Sequence, residues 1–206
     1  MAPNHAVTAL VVFGFLAAAL CHAGGGAMSD AERAYLIDRL EESRKAVLAS
    51  IDGLTEAQWT FKPAPTVWSV QECAEHIVLA ESFIFDATQQ LLKTPAVDRP
   101  GTSNSDVDHG LVSGAQDRSH KFTAPDAIVP SRKFATPADA AKAFTVAREK
   151  TIAYAQSTQD DLRTHVGEGP MGPMDAYQWL LLLAAHSARH TAQILEVEAN
   201  PGYPKP

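Results

Sequence analysis

The sequence has few cysteines, few basic residues and no long hydrophobic segment. Only Cys21 and Cys73 occur among 206 residues, so at most one disulfide can form within the chain. There are 17 Lys and Arg against 24 Asp and Glu, and the net charge of −7 comes without any basic cluster, which argues against a nucleic-acid-binding surface. The longest apolar run, Ala6 to Leu20, has 15 residues and is too short for a stable membrane span.

The N-terminal segment has the features of a secretory signal peptide. Its apolar run is followed by Cys21-His22-Ala23, which ends on a small residue before three glycines. We therefore predict a signal peptide over residues 1–23 and a secreted or periplasmic protein, with Cys73 as its remaining cysteine. Because no Lys or Arg precedes the apolar run, the alternative is a cytoplasmic protein that starts at Met28. Residues 24–206 are enough for a single domain with a sizeable core.

Four long segments have the periodicity of amphipathic helices, and each begins with a capping signal. The signals are Ser29 with Glu32, Ser69 with Glu72, Thr136 before Pro137, and Asp175 with Gln178. The predicted helices run from Asp30 to about Gly53, from Val70 to about Thr94, from Pro137 to about Ser157, and from Asp175 to Glu198. The segment Thr55 to Gln58 predicts a single short helical turn.

Residues 95–136 have little helical or strand periodicity. Prolines and glycines interrupt the segment at Pro95, Pro100, Gly101, Gly110, Gly114, Pro125 and Pro130. A connection of this length is unusual in a compact domain unless it crosses over a helical bundle. Four amphipathic helices without a predicted strand indicate an all-α fold, a four-helix bundle with one long central connection.

Three histidines are predicted to face the core of this bundle. His186 and His190 lie four residues apart in the last helix, so they share a face. That face also carries apolar residues, namely Trp179, Leu182, Leu183, Ile194 and Val197. His76 lies near the middle of the apolar face of the second helix, opposite Glu75, Ser82, Asp86 and Gln89. Because buried imidazoles need polar partners, the pattern indicates a metal site formed by His76, His186 and His190.

The same pattern leaves an alternative open, in which the histidines form a polar core cluster satisfied by Gln193 and buried water. The zinc-protease motif is excluded, because Ser187 stands where that motif needs a general-base Glu after the first His. Glu72 is predicted to cap its helix rather than to orient His76. Arg189 is expected to form a solvent-facing ion pair, with an anionic substrate as the alternative partner. Cys73 is expected to be a small core residue rather than a further ligand.

Three segments of the chain carry motifs of a known family. They are residues 54–59, LTEAQW, with Pro63-Ala64-Pro65; Trp68-Ser69-Val70-Gln71-Glu72 followed by His76; and residues 186–194, HSARHTAQI. In this order they resemble the segment before the second helix, the second-helix signature and the last-helix signature of the DinB/YfiT-like superfamily of metalloenzymes. The resemblance spans roughly Met28 to Glu198, with all segments in order.

The resemblance implies an up-down-down-up bundle whose second and third helices are joined by the long crossover. It also implies a divalent metal, zinc or nickel, held by His76, His186 and His190, and a homodimer. Characterised members include thiol S-transferases and a thiol-dependent maleylpyruvate isomerase. Export would separate this chain from the bacterial thiol cofactors, which are cytosolic.

These observations lead to one main functional hypothesis and two rivals. The first is a metal-dependent thiol S-transferase or hydrolase that acts on a small-molecule substrate, because three imidazoles leave one metal position open. The second is a non-catalytic metal-binding bundle of the cell envelope. The third is a helical interaction module without metal, in which the histidines are core residues.

Overall fold

The computed structural model describes residues 27–97 and 105–205. The predicted signal peptide, residues 1–23, lies outside them, and its cleavage stays a prediction. The helices are α1 (Asp30–Ile51), α2 (Glu56–Thr60), α3 (Val70–Leu91), α4 (Ser105–Gln116), α5 (Pro137–Ser157) and α6 (Ala176–Glu198). A 3-10 turn spans Asp126–Ile128, and two strands, β1 (Val166–Gly169) and β2 (Gly172–Asp175), precede α6. None of the helices described is both long and apolar enough to cross a membrane.

The long helices start where the capping signals predict. The side chains of Ser29, Ser69, Thr136 and Asp175 each accept a hydrogen bond from a backbone N–H in the first turn of α1, α3, α5 and α6, respectively. In α1, α3 and α6 the third helical residue also accepts from the cap backbone, which completes a capping box. Local sequence therefore determines the start of each long helix.

The bundle has the up-down-down-up topology. The start of α1 lies beside the start of α6, because the Tyr177 hydroxyl donates to the Glu32 carbonyl at 2.9 Å. Helix α5 runs opposite to α1, since Arg33 donates to the carbonyl of Thr158, just beyond the end of α5. Helices α3 and α5 run parallel, with Phe85 against Tyr154 and Glu81 against Arg148. Around the bundle the order is α1, α6, α3 and α5, so α3 and α6 are adjacent.

The long connection contains a helix that the sequence pattern does not predict. Helix α4, Ser105–Gln116, packs against α6 and buries Leu111, Val112 and Ala115. Two glycines within α4 lower its intrinsic helix propensity by about 1 kcal/mol each, which hides it in the sequence. Gly114 has a packing reason, because a Cβ there would lie 2.8 Å from the Met171 side chain. Tertiary packing thus outweighs propensity in this segment.

A short β-hairpin is the second departure from the predicted fold. Strands β1 and β2 pair antiparallel, with Val166 opposite Asp175 and Gly169 opposite Gly172. Each strand has four residues, and three of the eight residues are glycines, so the pair has too little apolar–polar alternation to be predicted as strands. Gly172 has a φ of +95°, which a residue with a side chain rarely adopts. The hairpin leads directly into the Asp175 cap and so fixes the entry to α6.

Candidate metal centre

The structure brings the three predicted histidines together between α3 and α6. The Nε2 atoms of His76 and His186 lie 3.1 Å apart, and His190 packs against both rings at centroid distances of 4.4 Å. One ring nitrogen from each residue lies within 4.8 Å of those of the other two. His76 and His190 are buried, and His186 is partly buried. Among the described residues, these three histidines form a group whose ligand atoms lie close enough together to hold a metal ion.

Hydrogen bonds fix the orientation of two of the rings. The Nδ1 of His76 lies 2.7 Å from the Ile128 carbonyl oxygen, and the Nδ1 of His190 lies 2.9 Å from Oε1 of Gln193. A carbonyl oxygen can only accept, so each Nδ1 carries the proton and each Nε2 keeps its lone pair. Metal-binding histidines adopt the same arrangement: one ring nitrogen binds the metal, and the N–H of the other donates to an acceptor.

The rings are held in their neutral form. Burial lowers the pKa of His76, although its hydrogen bond to Ile128 acts in the opposite direction. Burial, and then the proximity of His76, lowers the pKa of His190 to about 3. Burial, and then the two neighbouring rings, lowers the pKa of His186 well below its usual value. Unprotonated imidazoles are the form that binds a metal.

The geometry fits a divalent cation. The Nε2 atoms of His76 and His186 lie within hydrogen-bond distance of each other, and a cation bound by both would satisfy both atoms. In tetrahedral zinc coordination with Zn–N distances near 2.0–2.1 Å, two nitrogen ligands lie about 3.3 Å apart. The observed His76–His186 separation of 3.1 Å is close to that value. The residues present therefore suit a metal with nitrogen ligands.

An aromatic ring and a polar chain surround the histidines. The Trp68 ring lies 4.8 Å from the His76 ring and 6.1 Å from the His190 ring, so it covers one side of the cluster. Arg118 donates to Gln193 at 3.4 Å and makes two hydrogen bonds of 2.6 Å to Glu196. Gln193 is therefore held in place by Arg118 while it accepts from His190.

The structure tests the predicted roles of nearby polar residues. Glu72 caps α3 by accepting from the Ser69 N–H, as predicted, and it also pairs with Lys62. The Ile128 carbonyl takes the orienting role beside His76. The sequence contains no signal for Ile128, because its carbonyl comes from the irregular crossover.

Two expectations for polar residues beside the histidines were wrong. Arg189 does not form the expected solvent-facing ion pair; it is buried and donates to the carbonyls of Ala115, Asp117 and His120. It therefore attaches the end of α4 and the loop after it to α6. Glu75 was placed on the polar face of α3, but it is only 1% exposed, because the crossover covers that face.

Cys73 is a core residue, and we expect it to be unreactive in the folded protein. It is fully buried, and burial raises the pKa of its thiol to about 12. Because the thiolate is the nucleophile, its fraction at pH 8 falls roughly a thousandfold relative to a free thiol with a pKa near 8.5. In a Cys21→Ser variant, iodoacetamide should alkylate Cys73 at least about a hundredfold faster in urea than under native conditions, as measured by mass spectrometry. Equal rates would contradict this placement.

Comparisons with known proteins agree with this fold. A family model of the DinB superfamily matches residues 39–194. The solved structure of YfiT from Bacillus subtilis, described as a probable metal-dependent hydrolase with an unusual four-helix bundle topology, superposes with a TM-score of 0.58. The two sequences are 15% identical, and the superposed region covers 86% of this chain and 91% of the YfiT chain. At this identity the similarity is one of fold. No curated protein sequence matches the chain. Since the family model covers most of the sequence, this chain belongs to the DinB superfamily.

Proposed function

We propose that this protein is a metal-dependent enzyme in which His76, His186 and His190 hold one divalent cation, zinc or nickel. The observation that carries the proposal is the convergence of three imidazoles, two buried and one partly buried, with Nδ1 of His76 and of His190 each hydrogen-bonded to a carbonyl oxygen. Burying three imidazoles side by side is unfavourable unless they are satisfied, and a cation satisfies all of them.

The ligand set favours catalysis over a purely structural role. Three protein ligands leave a fourth position for water or substrate, whereas structural zinc sites use four. A divalent cation held by neutral ligands supplies Lewis-acid chemistry and lowers the pKa of a water or thiol that it binds. The residues around the cluster orient the histidines and cover them. Ile128 and Gln193 orient the His76 and His190 rings, and Arg118 donates to Gln193. Trp68 covers one side of the cluster.

We propose hydrolysis or thiol S-transfer on a small-molecule substrate as the reaction. Hydrolysis needs an activated water, and thiol transfer needs an activated thiol. A cation held by three neutral imidazoles could activate either one at its open position. The description of YfiT as a probable metal-dependent hydrolase supports the first. The second is supported by the resemblance of the His76 and His186–His190 segments to the DinB/YfiT-like superfamily, whose characterised members include thiol S-transferases.

Elemental analysis of untagged protein, purified without chelators, tests the metal site. We expect about one equivalent of zinc or nickel in the wild type and less than about a tenth of that in His190→Ala, because two remaining imidazoles bind weakly. His120→Ala is the matched control, since His120 is exposed and outside the cluster. Its metal content should equal that of the wild type.

The same proteins distinguish a catalytic from a non-catalytic site. Metal-dependent hydrolysis of small esters or amides, or metal-dependent transfer of a low-molecular-weight thiol, should be present in wild type and His120→Ala and absent in His190→Ala. Metal without turnover in either assay would instead support a non-catalytic metal-binding bundle. An absence of metal in the wild type, even after zinc and nickel are added, would contradict the proposal.

A further inference from the structure

A segment of the crossover lies along α3 beside the histidines. We call residues 128–134, which run from the last residue of the 3-10 turn toward α5, the strap. Its two ends are attached to the first turns of α3 and to α2. The Phe134 carbonyl accepts from Nε2 of Gln71 at 2.9 Å and from Nε1 of Trp59 at 3.3 Å. At the other end, the Ile128 carbonyl accepts from Nδ1 of His76 at 2.7 Å. The strap therefore supplies the hydrogen-bond partner of a candidate metal ligand.

A buried carboxylate holds the middle of the strap. Oε1 of Glu75 accepts from the Ser131 N–H at 3.0 Å and from the Ser131 hydroxyl at 2.9 Å, and Oε2 accepts from the Lys133 N–H at 2.8 Å. The side chain is 1% exposed, so these hydrogen bonds form away from bulk water. Hydrogen bonds to a charged acceptor are stronger than neutral ones, which makes this contact the main restraint on the middle of the strap.

The backbone between the two donors is strained. Arg132 has a φ of 67°, the left-handed region that residues other than glycine seldom adopt. Successive N–H groups around a left-handed residue form a concave site for an anion, and here the anion is Glu75. The carboxylate stabilises a conformation that the chain would otherwise avoid, because it binds the N–H groups on both sides of Arg132.

We infer that Glu75 is a positioning residue for the metal centre, acting through the strap. It precedes His76 in α3, so one turn of helix carries both the ring and the group that holds the ring's acceptor. By fixing residues 131–133, Glu75 holds the Ile128 carbonyl against Nδ1 of His76, which leaves Nε2 of His76 available to a metal that the cluster would hold. The inference rests on the proposed function, because it concerns affinity for the metal held there.

The first test compares zinc affinity, by competition with a chelating dye, in wild type, Glu75→Gln and Asp161→Asn. Glu75→Gln keeps the size of the side chain but removes its charge, and it places an amide N–H₂ against backbone donors. We expect zinc to bind about 10–100-fold more weakly, as is typical when the partner of a metal-binding histidine is disturbed. The ligand-field spectrum of the cobalt-loaded protein should also change, since His76 is then held less firmly.

Asp161 is the matched control. Like Glu75, it accepts from two backbone N–H groups and one hydroxyl, those of Arg163 and Thr164, but it lies near the start of α6. The adjoining Leu162 carbonyl bonds to Tyr177, which is nine residues, or about 13 Å of helix, from His186. Asp161→Asn should bind zinc within about twofold of the wild type. Equal affinity of Glu75→Gln and wild type would overturn the inference, whereas absence of zinc from the wild type would refute the proposed function instead.

A second pair of variants tests the strap without changing Glu75. Arg132→Gly and Arg132→Val both remove the guanidinium, which lies 3.4 Å from Glu72. Glycine adopts a positive φ freely, whereas valine strongly disfavours it. We expect Arg132→Gly to bind zinc within about twofold of the wild type and Arg132→Val to bind roughly tenfold more weakly. Equal effects of the two variants would overturn the role of the strap, and this outcome stays decisive if Glu75→Gln fails to fold.

Discussion

Replacing Glu81 with methionine is expected to destabilise the fold by about 3–5 kcal/mol at pH 7. Glu81 and Arg148 form a two-pronged ion pair in the bundle interior, with N–O distances of 2.8 and 2.7 Å. Both side chains are at most 1% exposed. Arg148 also donates to the Leu40 carbonyl and to the hydroxyls of Ser43 and Ser187, so the pair joins α1, α3, α5 and α6.

The expected loss comes mainly from the charge that remains. In Glu81→Met, the Arg148 guanidinium stays buried and charged without its carboxylate, which is more unfavourable than the pair itself is favourable. The double variant Glu81→Met/Arg148→Met should therefore recover most of the stability, which urea unfolding measures directly. Glu42→Met is the surface control, because its pair with the half-buried Arg39 lies at the protein surface and should contribute at most about 1 kcal/mol. If Glu81→Met loses no more than this control, the interior pair is energetically unimportant.

Replacing Arg163 with methionine should destabilise the protein by a similar amount, about 3–5 kcal/mol at pH 7. Arg163 is 3% exposed and pairs with Asp108 at 2.7 Å, with Asp175 at 3.1 Å and with Glu32. These carboxylates belong to α4, to the cap of α6 and to α1. Removing the central cation leaves like charges facing each other in a buried position.

The loss of stability in Arg163→Met should become smaller as the pH falls. Burial raises the pKa of Asp175 to about 6, although Arg163 opposes the shift, so removing Arg163 raises it further. A carboxyl with a higher pKa in the folded state than its unfolded value near 3.9 binds a proton preferentially on folding. Folding is therefore favoured as the pH drops from 7 to 5, and the gain is larger in the variant than in the wild type.

Urea unfolding of the wild type and Arg163→Met at pH 7 and pH 5 measures how the stability difference between them depends on pH. Arg33→Met is the matched control, because Arg33 donates to the backbone carbonyls of Ala155 and Thr158 rather than to carboxylates. Its deficit should be the same at both pH values. A deficit of Arg163→Met that does not shrink at pH 5 would contradict the carboxylate explanation.

The sequence predicts those parts of the fold that depend on short-range information. Capping residues such as Ser69 and Asp175 act within one turn, so the starts of the long helices follow from the sequence. The inward position of His76, His186 and His190 follows from helical periodicity, and the structure confirms that they converge. Their role as metal ligands stays a prediction.

The parts that the sequence does not predict depend on contacts between distant segments. Helix α4 exists because Leu111 and its neighbours pack on α6, despite two glycines. Glu75 is buried because the strap covers it, and the Ile128 carbonyl reaches His76 across 52 positions of sequence. Arg189 binds carbonyls of the loop after α4, which no local pattern indicates. These errors concern the crossover, where periodicity is weak, and the hairpin before α6 is the other element that the sequence does not predict.

The adjacency of α3 and α6 has a consequence for the order of events in folding. His76 and His186 are separated by 110 positions, so closing the loop between them comes with the formation of nearly the whole bundle. A cation bound by these histidines could therefore not nucleate folding in the way that zinc organises a small finger, whose ligands lie close together in sequence. A metal bound here would instead act after assembly, slowing the opening of the finished domain and increasing its stability in proportion to the logarithm of the free metal concentration.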